Sequence, residues 1–374
     1  MTTIDTTAGK VAPRELLRGW DSLELWVGNA RAFSGWLCAA FGFRVIAYAG
    51  PETGRDDTAS YVLAQGRVRL VVTAGLDEDS PVVDHVRRHG DGVRDVAFQV
   101  SDVDATFASA IARGATPVRP PSSVEDGDGV VRLATIGTYG ETQHTFVDTS
   151  AYRGIHRPGY TTEGLPPEPA GDPVGIEGID HVVGNIEKGR LDHWVEFYRS
   201  VLGFEEFRSF SADQISTEFS ALMSTVVWDG TEIKLPLNEP ADGKRKSQIA
   251  EYLEAYHGPG VQHIAMATDD IVAAVASLRR RGLRFLEAPA SYYDDARARL
   301  GHLDLPWDDI ERLGILVDEE PDGWLLQIFT EMVTDRPTVF IEVIQRGGAS
   351  GFGEGNFKAL FEAIEREQAR RGHL

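Results

Sequence analysis

One order of landmarks occurs twice in this chain. Ser22-Leu23-Glu24-Leu25-Trp26-Val27-Gly28-Asn29 leads into an apolar helical stretch, Ala32 to Phe41, closed by Gly42-Phe43. Farther on, Gly178-Ile179-Asp180-His181-Val182-Val183-Gly184-Asn185 leads into Trp194 to Leu202 and Gly203-Phe204. Gly92 to Phe98, Asp102 and a helix ending at Arg113-Gly114 are matched by Gly260 to Met266, Asp270 and a helix ending at Arg281-Gly282. Landmarks that recur in one order imply duplication. The expected fold is α+β, two tandem copies of one unit, each holding two βαβββ modules. A loose polar arm is expected at 1–17, the first unit at 18–151 and the second at 177–374. The stretch 152–176 carries Pro158, Pro166, Pro167, Pro169 and Pro173, which is linker composition.

Local patterns support this division. Leu23, Leu25 and Val27 alternate with Ser22, Glu24 and Trp26, the period of a half-buried strand. Asp102 stands where a helix cap is needed, and Gly42 and Gly114 where helices stop. The chain of 374 residues is long enough for two domains. Its net charge of -21 excludes a nucleic-acid or anionic-membrane footprint. Cys38 is the one cysteine, so no disulfide framework or cysteine-based zinc site exists. No leader and no spanning segment are visible, and a cytoplasmic protein is expected.

The two copies differ where chemistry could sit. Aligning the Val-Gly-Asn strings sets His181 against Leu25, and aligning Gly92 with Gly260 sets His263 against Asp95. Histidines that the first copy lacks select the second as the active one. A carboxylate joins them: Glu342, inside Thr338-Val339-Phe340-Ile341-Glu342-Val343-Ile344. An acid within so strong a strand former needs solvent, a partner or a metal. A single strand histidine is more often structural than a ligand, so the argument rests on the three together. Two imidazoles and one carboxylate suit Fe(II), leaving sites for a bidentate substrate and O2, though the ligand types alone leave Mn and Zn open.

These residues, with the strings around them, resemble one family. Leu235-Pro236-Leu237-Asn238-Glu239-Pro240, Lys246-Ser247-Gln248-Ile249, Leu325-Leu326-Gln327-Ile328-Phe329 and Gly353-Glu354-Gly355-Asn356-Phe357-Lys358-Ala359-Leu360-Phe361 are similar to the 4-hydroxyphenylpyruvate dioxygenases of the vicinal-oxygen-chelate superfamily. The resemblance covers nearly the whole chain and is densest after residue 178. It implies tandem vicinal-oxygen-chelate domains, the second an open barrel around Fe(II) held by His181, His263 and Glu342. It implies turnover of 4-hydroxyphenylpyruvate and O2 to homogentisate and CO2 in tyrosine breakdown. Ser224, Asn238 and Gln248 would meet the phenol end, and Phe329 and Phe357 would flank the ring. Phe352 and Phe361 would belong to the closing segment of the pocket, and Gln262, Gln327 and Asn356 would serve the reaction. The last helix, Asn356 to Arg371, would gate the site. Homodimers or homotetramers are expected. Hydroxymandelate synthase, with the same substrate and iron, is the nearest alternative, and Pro236, Asn238 and Gly355-Asn356-Phe357 favour the dioxygenase. A non-catalytic small-molecule binder of the same fold is the reading from another class.

Overall fold

The computed structural model describes residues 11–163, 165, 172–211, 221–244 and 246–370, without the side chains at 358, 360, 361, 367, 368 and 370. The first half runs β1 (Leu17–Trp26), α1 (Ala30–Phe41), β2 (Arg44–Ala49), β3 (Thr58–Gln65), β4 (Val68–Gly75), α2 (Pro81–His89), β5 (Gly92–Val100), α3 (Val103–Ala112), β6 (Thr116–Asp126), β7 (Gly129–Gly137) and β8 (Gln143–Asp148). The second runs β9 (Ile176–Asn185), α4 (Leu191–Phe197), β10 (Glu205–Phe210), β11 (Ala221–Trp228), β12 (Lys234–Ala241), α5 (Gln248–Ala255), β13 (Gly260–Thr268) and α6 (Ile271–Arg280). It continues with α7 (Ala290–Leu300), α8 (Trp307–Leu313), β14 (Leu316–Glu320), β15 (Gly323–Phe329), β16 (Phe340–Gly347) and α9 (Glu354–Arg370). Among the described residues, no helix is long and apolar enough to cross a membrane.

The duplication is written into the strand order. One eight-stranded sheet is ordered β2-β3-β4-β1-β5-β8-β7-β6 and the other β10-β11-β12-β9-β13-β16-β15-β14. Adding eight to every strand of the first gives the second. The local signals recur too. Asp102 and Asp270 accept from Ala105 and Ala273 at the starts of α3 and α6. Gly42 adopts a left-handed φ of 73° where α1 stops, and Gly203 one of 77° where the π-helical continuation of α4, Tyr198–Leu202, stops. The Pro-rich run 116–126 is an exposed edge strand, the one place in a sheet where prolines lose no ladder bond.

Pairing corrects one alignment. Ser22 lies opposite Ala97, as His181 lies opposite Ala265. Trp26 lies opposite Gly92, as Asn185 lies opposite Gly260. Both pairs of strands carry bulges at matching steps. His181 therefore corresponds to Ser22, not to Leu25. The Val-Gly-Asn strings mislead because Asn29 has left its strand to cap α1, whereas Asn185 is still inside β9. The match of His263 with Asp95 holds, since they face Val183 and Glu24. Thr145 precedes Phe146, which faces Phe98, as Glu342 precedes Val343, which faces Met266.

Ser22, Asp95 and Thr145 are thus what the first half places where the second has His181, His263 and Glu342. Thr145 donates to Asp95 through its backbone N–H at 3.0 Å and also through its hydroxyl, and Gln143 Nε2 donates at 3.0 Å. The connecting stretch supplies the cation. Arg157 donates to Asp21 at 2.8 Å and to Ser22 at 3.3 Å. Residues 164 and 166–171 of the expected linker, and 1–10 of the expected arm, lie outside the described residues. The rest of both is attached: Thr161 bridges to Tyr48, and the Ser109 hydroxyl donates to the Val11 carbonyl at 2.7 Å.

Arg157→Ala removes the cation from a carboxylate whose side chain is only 10% exposed. It should cost about 2–3 kcal/mol, below a fully buried pair because part of the guanidinium meets water. Urea denaturation measures this, and an unchanged midpoint would show that Asp21 needs no such partner.

Candidate metal centre

The site follows from the pairing of three adjacent strands. His181 on β9 and Glu342 on β16 both lie directly opposite Ala265 of β13, one on each side. Directly paired residues share a sheet face, and residues two apart along a strand share it as well. His263, two positions before Ala265, therefore joins them. The fully buried Ala265 puts only a methyl between the ligand-bearing strands, which leaves room for three larger groups above it.

The groups converge. Glu342 Oε2 lies 3.2 Å from His181 Nε2 and 3.5 Å from His263 Nε2. The ligand atoms of all three lie within 4.8 Å of one another. Atoms ~2.1 Å from a common cation stand about 3–3.5 Å apart, so the set fits a divalent metal. Glu342 Oε1 is buried and has no hydrogen-bond partner, the orphan expected where a cation completes the group.

Supporting contacts aim the rings. His181 Nδ1 donates to Asp180 Oδ1 at 2.7 Å, and Arg346 clamps the same carboxylate with donors at 2.7 and 2.8 Å. His263 Nδ1 lies 3.3 Å from Gln262 Oε1, and Phe340 stacks on its ring at 4.6 Å and 21°. With the outer nitrogens engaged, the Nε2 lone pairs face inward. The electrostatics divide the pair. Burial alone would lower His181, but Glu342 and Asp180 carry its pKa above the ordinary 6.5. His263 stays lowered, chiefly by burial. Burial would raise Glu342, yet the two imidazoles hold it below the usual carboxylate range.

The three side chains form one wall of a cavity lined mainly by apolar side chains with a few polar groups among them, the composition usual for a small-molecule site. The structure brings Ser224, Asn238, Gln248, Gln262, Gln327, Phe329, Phe352 and Phe357 to its lining. Ser224 faces Asn238 across β11 and β12, and the buried Gln248 Oε1 has no protein partner. Phe352 meets the His181 ring edge-on at 5.1 Å, and Phe357 meets Phe210 at 5.2 Å. Gly353, with φ 73°, passes so close to Gln327 that an added Cβ would stand 2.5 Å from its Nε2.

Two expectations fall elsewhere. Asn356 is not among the lining residues; its buried Oδ1 accepts from Tyr292 at 2.6 Å, which ties the first turn of α9 to α7. The side chain of Phe361 lies outside the described residues. Sequence reasoning missed Phe210, Phe340 and Val183 in the lining, since an apolar residue in a strand gives no sign of which side it serves. Asp180 and Arg346 were also missed. Arg346 stands four residues from Glu342 on one strand, a spacing that could have revealed it.

Comparison with known proteins places these features. A family profile described as the Glyoxalase/Bleomycin resistance protein/Dioxygenase superfamily matches residues 19–144 and 178–328. A 4-hydroxyphenylpyruvate dioxygenase of Dictyostelium discoideum is 47% identical over 368 residues, which cover 96% of this chain and 100% of that one. One of Caenorhabditis elegans is 45% identical over 365 residues, 95% of this chain and 93% of that one. Among solved structures, a triple mutant of 4-hydroxymandelate synthase from Streptomyces coelicolor superposes with a TM-score of 0.85 at 36% identity, covering 94% of this chain and 99% of that one.

Glu342 and Asp180 push the His181 pKa upward, so a proton competes with a cation for this ring. Divalent-metal binding at pH 7 should therefore release protons, and affinity should fall as pH drops. Calorimetry in two buffers of different ionisation enthalpy tests this; equal heats in both would contradict it.

Proposed function

Because the chain belongs to the 4-hydroxyphenylpyruvate dioxygenase family, within the Glyoxalase/Bleomycin resistance protein/Dioxygenase superfamily, we propose an Fe(II) enzyme that converts 4-hydroxyphenylpyruvate and O2 to homogentisate and CO2 in tyrosine breakdown. The observation that carries this reading is the convergence of His181, His263 and Glu342 on the wall of an otherwise largely apolar cavity. Two imidazoles and one carboxylate leave three positions of an octahedral ion open, enough for a chelating keto acid and dioxygen. When bound, ferrous ion supplies Lewis acidity toward the keto acid and activation of O2.

The chain's own part is binding, orientation and exclusion of water. Ser224, Asn238 and Gln248 offer a hydroxyl and two amides to the phenol, a neutral group that needs both a donor and an acceptor. Phe329 and Phe357 would border the ring, and Gln262 and Gln327 line the same cavity. The start of α9 closes the cavity, with Phe352 over His181 and Phe357 against Phe210. In the overall balance one oxygen atom completes the new acetate carboxyl, the other becomes the ring hydroxyl, and the original carboxyl leaves as CO2. Assembly as a homodimer or homotetramer belongs to the same proposal.

The likeness to 4-hydroxymandelate synthase favours a second reading, with the same substrate and iron but oxidation at the benzylic carbon. Oxygen uptake by iron-loaded protein on addition of the keto acid, followed by product identification, separates them. Homogentisate is expected; 4-hydroxymandelate would select the synthase, and no uptake would leave a binding protein.

Replacing His181, His263 or Glu342 by Ala should lower turnover by more than about 100-fold, beyond what loss of a supporting residue costs, with the far-ultraviolet circular dichroism unchanged. Wild-type rates in any of the three would refute the ligand set. Phe357→Ala should lower kcat/KM about tenfold through lost ring contact. A sharp fall in melting temperature with normal turnover would instead make Phe357 an ordinary core residue.

A further inference from the structure

A second cluster of side chains able to ligate a metal lies in the half that lacks the first. His85 and His89 stand four residues apart on α2, so both imidazoles project from one helix face. Glu141, in the turn between β7 and β8, reaches them. Its Oε2 is 2.8 Å from His85 Nδ1 and its Oε1 is 3.4 Å from His89 Nε2. The three ligand atoms lie within 4.8 Å of one another, as in the centre described above.

The remaining nitrogens are both engaged by one residue of the other half. His89 Nδ1 contacts the Tyr256 carbonyl, and His85 Nε2 lies 3.4 Å from the Tyr256 hydroxyl. A carbonyl only accepts, so His89 Nδ1 carries the proton. In the neutral ring, Nε2 then presents a lone pair toward a carboxylate oxygen. A cation between them would satisfy both, and Arg88 reaches only the carboxylate side of the pair. His89 is 4% exposed, and its Nε2 has no hydrogen-bond donor. Ring nitrogens held outside while their partners converge is the arrangement that orients metal-bound histidines. Arg336 adds rigidity by donating to the carbonyls of Arg87, Arg88 and Ala255, which fixes the end of α2 against the second half.

We infer that His85, His89 and Glu141 form a binding site for a zinc-class divalent cation at the junction of the two halves. Two imidazoles and one carboxylate select borderline transition ions over Mg²⁺ or Ca²⁺. A fourth position opens to a cleft lined by Trp26, Arg94, Thr142, His193 and Trp194, which gives water access to it. Arg88 also contacts Glu141 Oε1 from the solvent side, its side chain 54% exposed, and a bound ion would compete with it for that oxygen. A bound ion would brace α2 against Tyr256, just ahead of the strand that carries His263. None of this depends on which reaction the first centre performs.

The test is zinc stoichiometry after chelator treatment and equilibrium dialysis against Zn²⁺. The wild-type chain should retain two ions, Glu141→Gln one, and Glu342→Gln one. The zinc-dependent rise in melting temperature should persist in Glu342→Gln and vanish when both substitutions are combined. One ion in the wild type, or two in Glu141→Gln, would overturn the site. His89→Gln serves as the second variant should Glu141→Gln fail to fold, and it too should hold one ion. Iron-loaded Glu141→Gln should keep wild-type turnover, since the residue touches neither the cavity nor its ligands.

Discussion

A carboxylate buried between two imidazoles governs the architecture of the second half. Glu342 has a side chain only 3% exposed, with one oxygen lacking any protein donor. Left alone, such a group would cost several kcal/mol or take up a proton. The protein instead flanks it with two imidazoles whose outer nitrogens are already engaged. Asp180 and Gln262 fix the rings, and Arg346 fixes Asp180. This order of dependence explains why the polar groups lie in layers on one face of β9, β13 and β16. It also explains why β13, paired with both other strands, carries the small Ala265 at the centre.

The first half answers the same geometric problem differently. Its strand order is identical, and Asp21 occupies the register position of Asp180. Where the second half gathers ligands for an external cation, the first gathers Ser22, Asp95 and Thr145, and the connecting stretch brings in Arg157. A guanidinium tethered to the chain needs no loading from solution, and its planar donors suit a carboxylate. The duplicated scaffold thus sets a guanidinium on the same carboxylate position in both copies, Arg157 on Asp21 and Arg346 on Asp180.

How far this was legible in the sequence varied by residue. The two-copy fold and the three converging side chains were visible because His181, His263 and Glu342 are polar exceptions in apolar strands, and polar exceptions stand out against a period-two background. The register of His181 was misread because bulges shift strand positions without changing residue types, so like strings at 27–29 and 183–185 sit at unlike places. Asn356 was assigned to the reaction through its neighbours in the closing segment, but its partner Tyr292 lies on α7, a helix with no counterpart in the first half. Phe340 was indistinguishable from core until its stacking on His263 was in view. Contacts between distant segments carry no local signature, and the pocket is built mostly of such contacts.

The close passage of Gly353 over Gln327 ties two features together. No side chain fits between them, so the backbone before α9 rests on the glutamine amide itself. Any side chain at position 353 would push on that amide, so the path of the segment before α9 and the aim of Gln327 into the cavity are set together.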